Sequence, residues 1–409
     1  MISNFNIKDI TDDQISNKRV LIRNDFNVDI DDDGKIIDDF RIVKSLPTIK
    51  ALLKNDNRLI LISHLNKPKN RDPKYSLKPV ADYLQQSLSD YQIILVDDFI
   101  DPKNQPVFQN QTNKQIILLE NIRFYPQEMA DNDQFAQQLS KLGDIFVNDA
   151  FGELHRKVTS IVSIPKYLSS YAGLLVKKEI ETLNNILQAP KRPLTFIVGG
   201  AKISTKIKFI SKVIEIADNL LLAGEIANTL LSVNNENVTS DLSQSRSIDI
   251  GYDPQTLQIA KNIIANNNQS KCKIYFPTDA IVANKTDFSN VSTVNINQVI
   301  KDQDIYDIGT KTIKKYQEII SQSSTVIWNG PLGLIEKSEF RSSTDAIFKT
   351  IINQPNLTSI IGGGDTLTYL QSKPEIDKIT HLSIGGGAML KFIESGSLIG
   401  LESLKEFKG

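Results

Sequence analysis

The chain has 409 residues, of which 40% are apolar and 23% charged, a composition that supplies a packed core and excludes a disordered polymer. Its 47 basic and 48 acidic residues leave a net charge of −1, so no global field recruits nucleic acid or an anionic membrane, and any anion site has to be a local cluster. One cysteine, Cys272, excludes an intramolecular disulfide, and no apolar run approaches the ~20 residues that span a bilayer, so a cytoplasmic protein of two domains is expected.

In the first half, apolar runs at 19–23, 59–62, 116–119 and 145–147 each end in polar residues, respectively Asn24-Asp25-Phe26-Asn27, Ser63-His64, Glu120-Asn121-Ile122-Arg123 and Asn148-Asp149. Continuous apolar runs of this length, without clean alternation, predict parallel strands buried on both faces. Helical spacing of apolar residues over 47–53, 78–88 and 134–142 falls between them, giving a βαβ alternation with a sheet between helix layers. A segment opening at Ala172-Gly173-Leu174 and running to Leu187 before Pro190 predicts one amphipathic helix, either a rigid connector between lobes or an ordinary domain helix. The second half repeats the pattern, with strands expected at 194–198, 220–222, 274–276, 325–328, 359–361 and 382–384 and helices at 206–216 and 313–321.

Ligands of open parallel sheets bind beyond the carboxyl ends of the strands. Asp25, Asn27, His64, Arg123 and Asn148 stand there in the first half, with Arg41 and Arg156 from loops, a set suited to a small multiply charged anion held by forked guanidinium contacts. In the second half the strands break into Gly199-Gly200-Ala201-Lys202, Gly362-Gly363-Gly364-Asp365-Thr366 and Gly385-Gly386-Gly387. Glycine lets backbone N–H groups approach phosphate oxygens, and a following helix N-terminus adds a favourable dipole, so these loops point to a nucleotide. Neither GxxxxGK[ST] nor a strand-linked GxGxxG is present, which excludes the P-loop and the usual dinucleotide fingerprint. Asp365 beside Thr366 suits Mg²⁺, which takes one or two protein carboxylates and completes its shell with phosphates and water; an N-cap role is compatible. With three histidines and no HExxH or CxxC spacing, no zinc site is expected, and Cys272 is given no role.

Stretches in order along the whole chain resemble the phosphoglycerate kinase family: RVLIRNDFNVDI from Arg19, FRIVKSLPTI from Phe40, ISHLNKP from Ile62, LLENIRFYPQE from Leu118, FVNDAFGELHR from Phe146, FIVGGAKISTKI from Phe196, VIWNGPLGLIE from Val326, IIGGGDT from Ile360 and SIGGGA from Ser383. The resemblance implies an α/β fold of two Rossmann-like lobes, each a parallel sheet flanked by helices, joined by a hinge helix. It places an N-terminal lobe at 1–171, an interdomain helix at 172–188 and a nucleotide lobe at 189–389, with a tail at 390–409 returning to the N-lobe. It also implies reversible transfer between 1,3-bisphosphoglycerate with MgADP and 3-phosphoglycerate with MgATP, brought about by hinge closure in a cytoplasmic monomer. On matching positions, Asp25, Asn27, Arg41, His64, Lys67, Arg123 and Arg156 are the implied triose-acid contacts. Gly200, Lys202, Lys206, Asn329, Glu336, Gly363, Gly364, Asp365 and Thr366 are the implied nucleotide contacts, with Asp365 as metal ligand. Arg41, Lys202, Gly386 and Gly387 are the implied catalytic set.

The chain departs from the family pattern at Lys67, where an arginine is usual, and at Asp29, Val158, Thr205, Glu225 and Ile384. A point charge at Lys67 replaces a forked contact, and Glu225 brings a carboxylate close to the implied base site. These changes leave open a paralogue with little turnover that binds a nucleotide or a partner.

Overall fold

The structure is a computed structural model that describes residues 2, 5–201, 203–234, 254–265, 271–300 and 302–405. It divides into two compact units, Met1–Asn184 with Ser395–Gly409, and Asn185–Glu394. The division falls inside the helix Leu174–Gln188.

Unit 1 is built on six parallel strands, β1 (Arg19–Arg23), β2 (Arg58–Ile62), β3 (Gln92–Val96), β4 (Gln115–Leu119), β5 (Ile145–Asn148) and β6 (Ser170–Ala172), in the order β3-β4-β2-β1-β5-β6. Central strands are apolar between their end residues because helices cover both faces; Val20, Leu21, Ile22, Leu59, Ile60, Leu61 and Ile62 have no exposed surface. From β1 the chain crosses to β2 on one side, and from β5 to β6 on the other. The loops after β1 and β5 therefore part, leaving a crevice at the carboxyl ends of the strands. The C-terminal segment belongs to this unit: Gly400 N donates to Leu154 O at 2.9 Å and Ser403 Oγ to Ile161 O at 3.1 Å.

Unit 2 repeats the plan with β7 (Leu194–Val198), β8 (Asn219–Leu222), β9 (Lys273–Tyr275), β13 (Thr325–Asn329), β14 (Thr358–Gly362) and β15 (His381–Ser383), all parallel in the order β15-β14-β13-β7-β8-β9. Here β7 leads to β8 on one side and β13 to β14 on the other, so the crevice opens between β7 and β13. A separate antiparallel sheet is formed by β10 (Asp279–Asn284), β11 (Ser292–Asn295) and β12 (Gln303–Ile308), with β10 in the middle. Tyr316 on the helix Thr310–Ser321 is fully buried and donates to Leu222 O at 2.6 Å, tying that helix to the end of β8.

The α/β class with two parallel sheets read from the sequence stands. Strands outside that reading are β3, an edge strand with a half-exposed apolar face, the three-residue β6, and the antiparallel trio, in which β11 and β12 are largely exposed or half-exposed and central β10 is mostly buried. The first helix begins at Phe40 and not at 47, with Pro47 inside it. Arg41 accordingly stands on the first turn of a helix, not on a loop. Proline favours a first turn, which made position 47 look like a start, but the apolar face at Ile42, Ile49, Leu52 and Leu53 is buried on both sides of it and carries the helix through. Among the described residues no helix is long and apolar enough to cross a membrane.

Candidate functional site

At the carboxyl end of the unit 1 sheet, Asn27, His64, Asn66, Lys67, Tyr75, Arg123, Glu153 and Arg156 line an open cavity of about 440 Å³. The loops that carry them are cross-braced by Asn121, fully buried, whose Nδ2 donates to Leu65 O at 2.8 Å and Tyr75 O at 2.9 Å. Its Oδ1 accepts from Leu65 N at 3.2 Å and from Arg123 N at 3.1 Å, which starts the short turn Ile122–Phe124 and aims Arg123. Asn66 has φ +55°, a left-handed conformation that asparagine tolerates, and this turns both its backbone groups inward. Its N–H donates to Asn27 Oδ1 at 2.7 Å and its carbonyl accepts from Arg123 Nη1 at 2.8 Å.

His64 is the best-determined donor in the pocket. Arg23 Nη2 lies 3.2 Å from His64 Nδ1, and since a guanidinium only donates, Nδ1 accepts and the proton sits on Nε2. Burial, and then the charges of Arg23, Arg123, Arg41 and Arg156, hold the ring well below the ordinary histidine pKa, so it is neutral. Nε2 is buried and has no hydrogen-bond partner among the described residues, leaving a fixed N–H for a ligand oxygen. Arg23 is itself completely buried; Nε donates to Ser160 Oγ at 2.8 Å, which in turn donates to buried Glu128 at 2.6 Å.

Arg41 Nη1 donates to Asn27 O at 2.8 Å and lies 3.5 Å from Asp25 Oδ1. Asp25 and Arg41 are thus joined to the cavity through Asn27 without lining it. Glu153 bridges the arginines, accepting from Arg123 Nη2 at 2.7 Å and from Arg156 Nε at 3.0 Å. Asn148 ends β5 buried, its Oδ1 accepting from Ala150 N at 3.1 Å, and does not line the cavity.

In unit 2 a cavity of about 370 Å³ is walled by backbone: Gly200 and Ala201 after β7, Asn329, Gly330 and Pro331 at β13, Gly363 to Thr366 after β14, and Gly386 and Gly387 after β15. Gly363 has φ +110° and caps the helix Gly364–Gln371 with no side-chain acceptor, so the first N–H groups of that helix point outward. A Cβ on Gly386 would lie 2.8 Å from Gly363 Cα, so the last two glycine loops approach too closely for any side chain. Asn329 Nδ2 and Thr366 Oγ1 are buried without a partner among the described residues, as expected of donors kept for a ligand.

Lys206 is mostly buried; Nζ donates to Gly199 O at 2.7 Å, and burial pulls its pKa down to about 8 against the attraction of Asp365. A second cavity of about 270 Å³ shares Gly200, Ala201, Pro331 and Asp365 with the first and continues past Gly224, Glu225, Pro277, Tyr306, Leu332 and Glu336. An amide-walled cradle opening into a largely apolar slot matches a nucleotide's phosphates and its base and ribose. Lys202 lies outside the described residues. Among the described residues no cluster of three His, Cys, Asp or Glu side chains is placed to hold a metal. The lone carboxylate of Asp365 fits Mg²⁺ carried in on phosphates.

The phosphoglycerate kinase family model matches residues 7–396. The chain belongs to the phosphoglycerate kinase family. It is 38% identical over 405 residues to the phosphoglycerate kinase of Finegoldia magna, covering 98% of this chain and 100% of that one. To the phosphoglycerate kinase of a Wolbachia from Drosophila simulans it is 40% identical over 406 residues, covering 98% and 99%. Among solved structures, phosphoglycerate kinase from Coxiella burnetii superposes with a TM-score of 0.81 at 32% identity, and that from Pyrococcus horikoshii with 0.83 at 28%, each covering 98% of this chain and 99% of the other. Phosphoglycerate kinases are nucleotide-dependent phosphotransferases with a carboxyl group as acceptor.

Of the departures from the family pattern, Lys67 lines the unit 1 cavity and Glu225 the apolar slot, whereas Val158 and Ile384 are buried and Asp29 and Thr205 are exposed. Sequence reasoning missed Arg23, Asn66, Tyr75 and Glu153. Arg23 had a legible signal, a charge closing an otherwise apolar strand; Glu153 had only its place three residues before Arg156.

Proposed function

We propose that the unit 1 cavity binds the triose acid through its phosphate and that the two unit 2 cavities bind the adenine nucleotide, so that the chain interconverts 1,3-bisphosphoglycerate with ADP and 3-phosphoglycerate with ATP. The observation that carries this assignment is the convergence of Lys67, Arg123, Arg156 and the fixed His64 Nε2–H on one open cavity beyond the sheet. Arg123 and Arg156 take the substrate phosphate through forked contacts, Lys67 adds a point charge, and Asp25 and Asn27 orient the acid's hydroxyl and carboxyl end. Arg41, on its helix turn beside Asn27, reaches the phosphoryl group being transferred.

In unit 2 the N–H groups at Gly363, Gly364, Gly386 and Gly387, with Lys206, Asn329 and Thr366, cradle the phosphates, and Glu336 takes the ribose. Lys202 is assigned to the phosphates by resemblance alone. Asp365 would hold Mg²⁺, which when bound neutralises phosphate charge.

The chemistry asks for no general base. A carboxylate with a pKa near ~4 is ionised at neutral pH, and in transfer to ADP the acyl phosphate's P–O bond breaks as a β-phosphate oxygen bonds to phosphorus. Catalysis then rests on charge neutralisation and alignment, which fixed arginines and amides supply without reorganising. The working unit is read as a monomer by family resemblance, and the single cysteine suits the cytoplasm.

A coupled assay for turnover dependent on both ATP and 3-phosphoglycerate tests the proposal. Turnover is expected. Folded protein with none would overturn it, and full activity in Arg41→Ala would overturn the role of Arg41.

A further inference from the structure

The cavity that the proposed function gives to the substrate phosphate already contains an anion, and the inference rests on that reading of the cavity. Glu153 ends the turn Phe151–Glu153 after β5, and only 8% of its side chain is exposed. Its oxygens are divided among the groups a phosphate would use. Oε2 accepts from Arg123 Nη2 at 2.7 Å; Oε1 accepts from Arg156 Nε at 3.0 Å and stands 3.7 Å from His64 Nε2. That last distance is too long for a hydrogen bond, so the carboxylate touches both guanidinium groups yet leaves the imidazole donor open.

A carboxylate and a phosphate compete for the same geometry, because each presents paired oxygens to a guanidinium fork. They also repel one another, so both cannot hold Arg123 and Arg156 at full strength. Asp25 adds to the strain on the resident group: burial first, and then the charge of Asp25, raise the Glu153 pKa. The neighbouring cations Arg23, Arg123 and Arg156 oppose that rise. Two guanidinium groups that can only donate nonetheless stand at 2.7 and 3.0 Å from its oxygens, so Glu153 is the resident acceptor of the very arginines that the substrate must recruit.

We propose that Glu153 is a resident competitor of the substrate phosphate, neutralising Arg123 and Arg156 in the ligand-free protein and yielding them when phosphoglycerate binds, so that it sets the substrate affinity. Glu153 is then an affinity-setting residue whose carboxylate weakens every anion that enters the cavity, including those smaller than the substrate. It also keeps the paired arginines from standing unneutralised in a half-buried pocket between turnovers.

Calorimetric titration of the full chain with 3-phosphoglycerate, and separately with inorganic sulfate, tests this in wild type, Glu153→Gln and Glu153→Asp. The glutamine variant keeps the shape and removes the charge, and about threefold to tenfold tighter binding of both ligands is expected, together with a lower KM for 3-phosphoglycerate. Aspartate, one methylene shorter, cannot bridge both arginines and is expected to give a smaller gain in the same direction; it decides the matter should the glutamine variant not fold. Unchanged or weaker binding in the folded variants would mean that Glu153 only positions the arginines, and would overturn the proposal. Arg123→Ala serves as the control on the cavity itself. Loss of 3-phosphoglycerate binding there supports the assignment of the site, whereas unaltered binding overturns that assignment and the role of Glu153 with it.

Discussion

The two units place their candidate ligand cavities at equivalent points of equivalent sheets, yet build them from different material. In unit 1 the strand-end loops deliver side chains: Arg123 and Arg156 held by Glu153, and His64 fixed by buried Arg23. In unit 2 the same positions deliver backbone, with Gly363 at φ +110° and Gly386 packed against it, and few side chains besides Lys206 and Asp365. The difference teaches that the topology supplies a crevice and the loop composition decides its chemistry. Guanidinium forks on a braced scaffold suit a small acid whose orientation matters, whereas amides at a helix N-terminus suit a chain of phosphates that needs many equivalent donors.

The contrast can be broken most forcefully at Arg41. Replacing it with alanine is expected to lower kcat by about a thousandfold, the scale of a lost transition-state cation, with a much smaller effect on nucleotide binding, as steady-state kinetics will show. Arg123→Ala is expected to raise KM for 3-phosphoglycerate by about a hundredfold while leaving the KM for ATP nearly unaltered, because a buried forked contact is lost in one unit only. Equal losses for both substrates would erase the division of labour between the units.

On the backbone-built side, Gly386→Ala forces a methyl to within 2.8 Å of Gly363 Cα. The expected cost is about 1–3 kcal/mol, read as a lower melting temperature together with weaker MgADP binding in calorimetry. Lys206 adds a pH signature. Its pKa in the free protein is about 8, and a nearby phosphate raises it. Nucleotide binding near that pH should take up a fraction of a proton, and affinity should fall as pH rises above it. Lys206→Met is expected to weaken MgADP about tenfold and to abolish the proton uptake, measured by titration in buffers of different ionisation enthalpy. The smallest change expected is a gain: Lys67→Arg restores a forked contact and should tighten 3-phosphoglycerate about threefold to tenfold, leaving MgADP binding as it was.

Much of the fold was legible before any coordinates because a strand buried on both faces has no polar residues with which to hide. The runs at 19–23 and 194–198 announce themselves, and the polar or glycine residues closing them mark the end of each sheet where a cavity opens. What escaped is what lacks that contrast. Edge strand β3 and the antiparallel strands β11 and β12 are largely exposed or half-exposed, central β10 offers only the short apolar run 280–283, and the helix Phe40–Leu53 runs through a proline that local preference reads as a beginning. The site divides in the same way: residues named by type and position at strand ends were visible, but their partners were not.

Composition, strand endings and motif order thus determined the class of this protein, the family it belongs to and many of the residue types that gather in its strand-end cavities. Only the tertiary structure decided how those residues are set: that Arg23 places the proton of His64 on Nε2, that burial brings Lys206 to about 8, and that Glu153 sits between Arg123 and Arg156. The physical reason is that hydrogen bonding and desolvation depend on neighbours brought together from distant parts of the chain. Arg23 and His64 lie 41 residues apart, and Arg123 and Glu153 lie 30 apart, separations at which the linear pattern says nothing of contact.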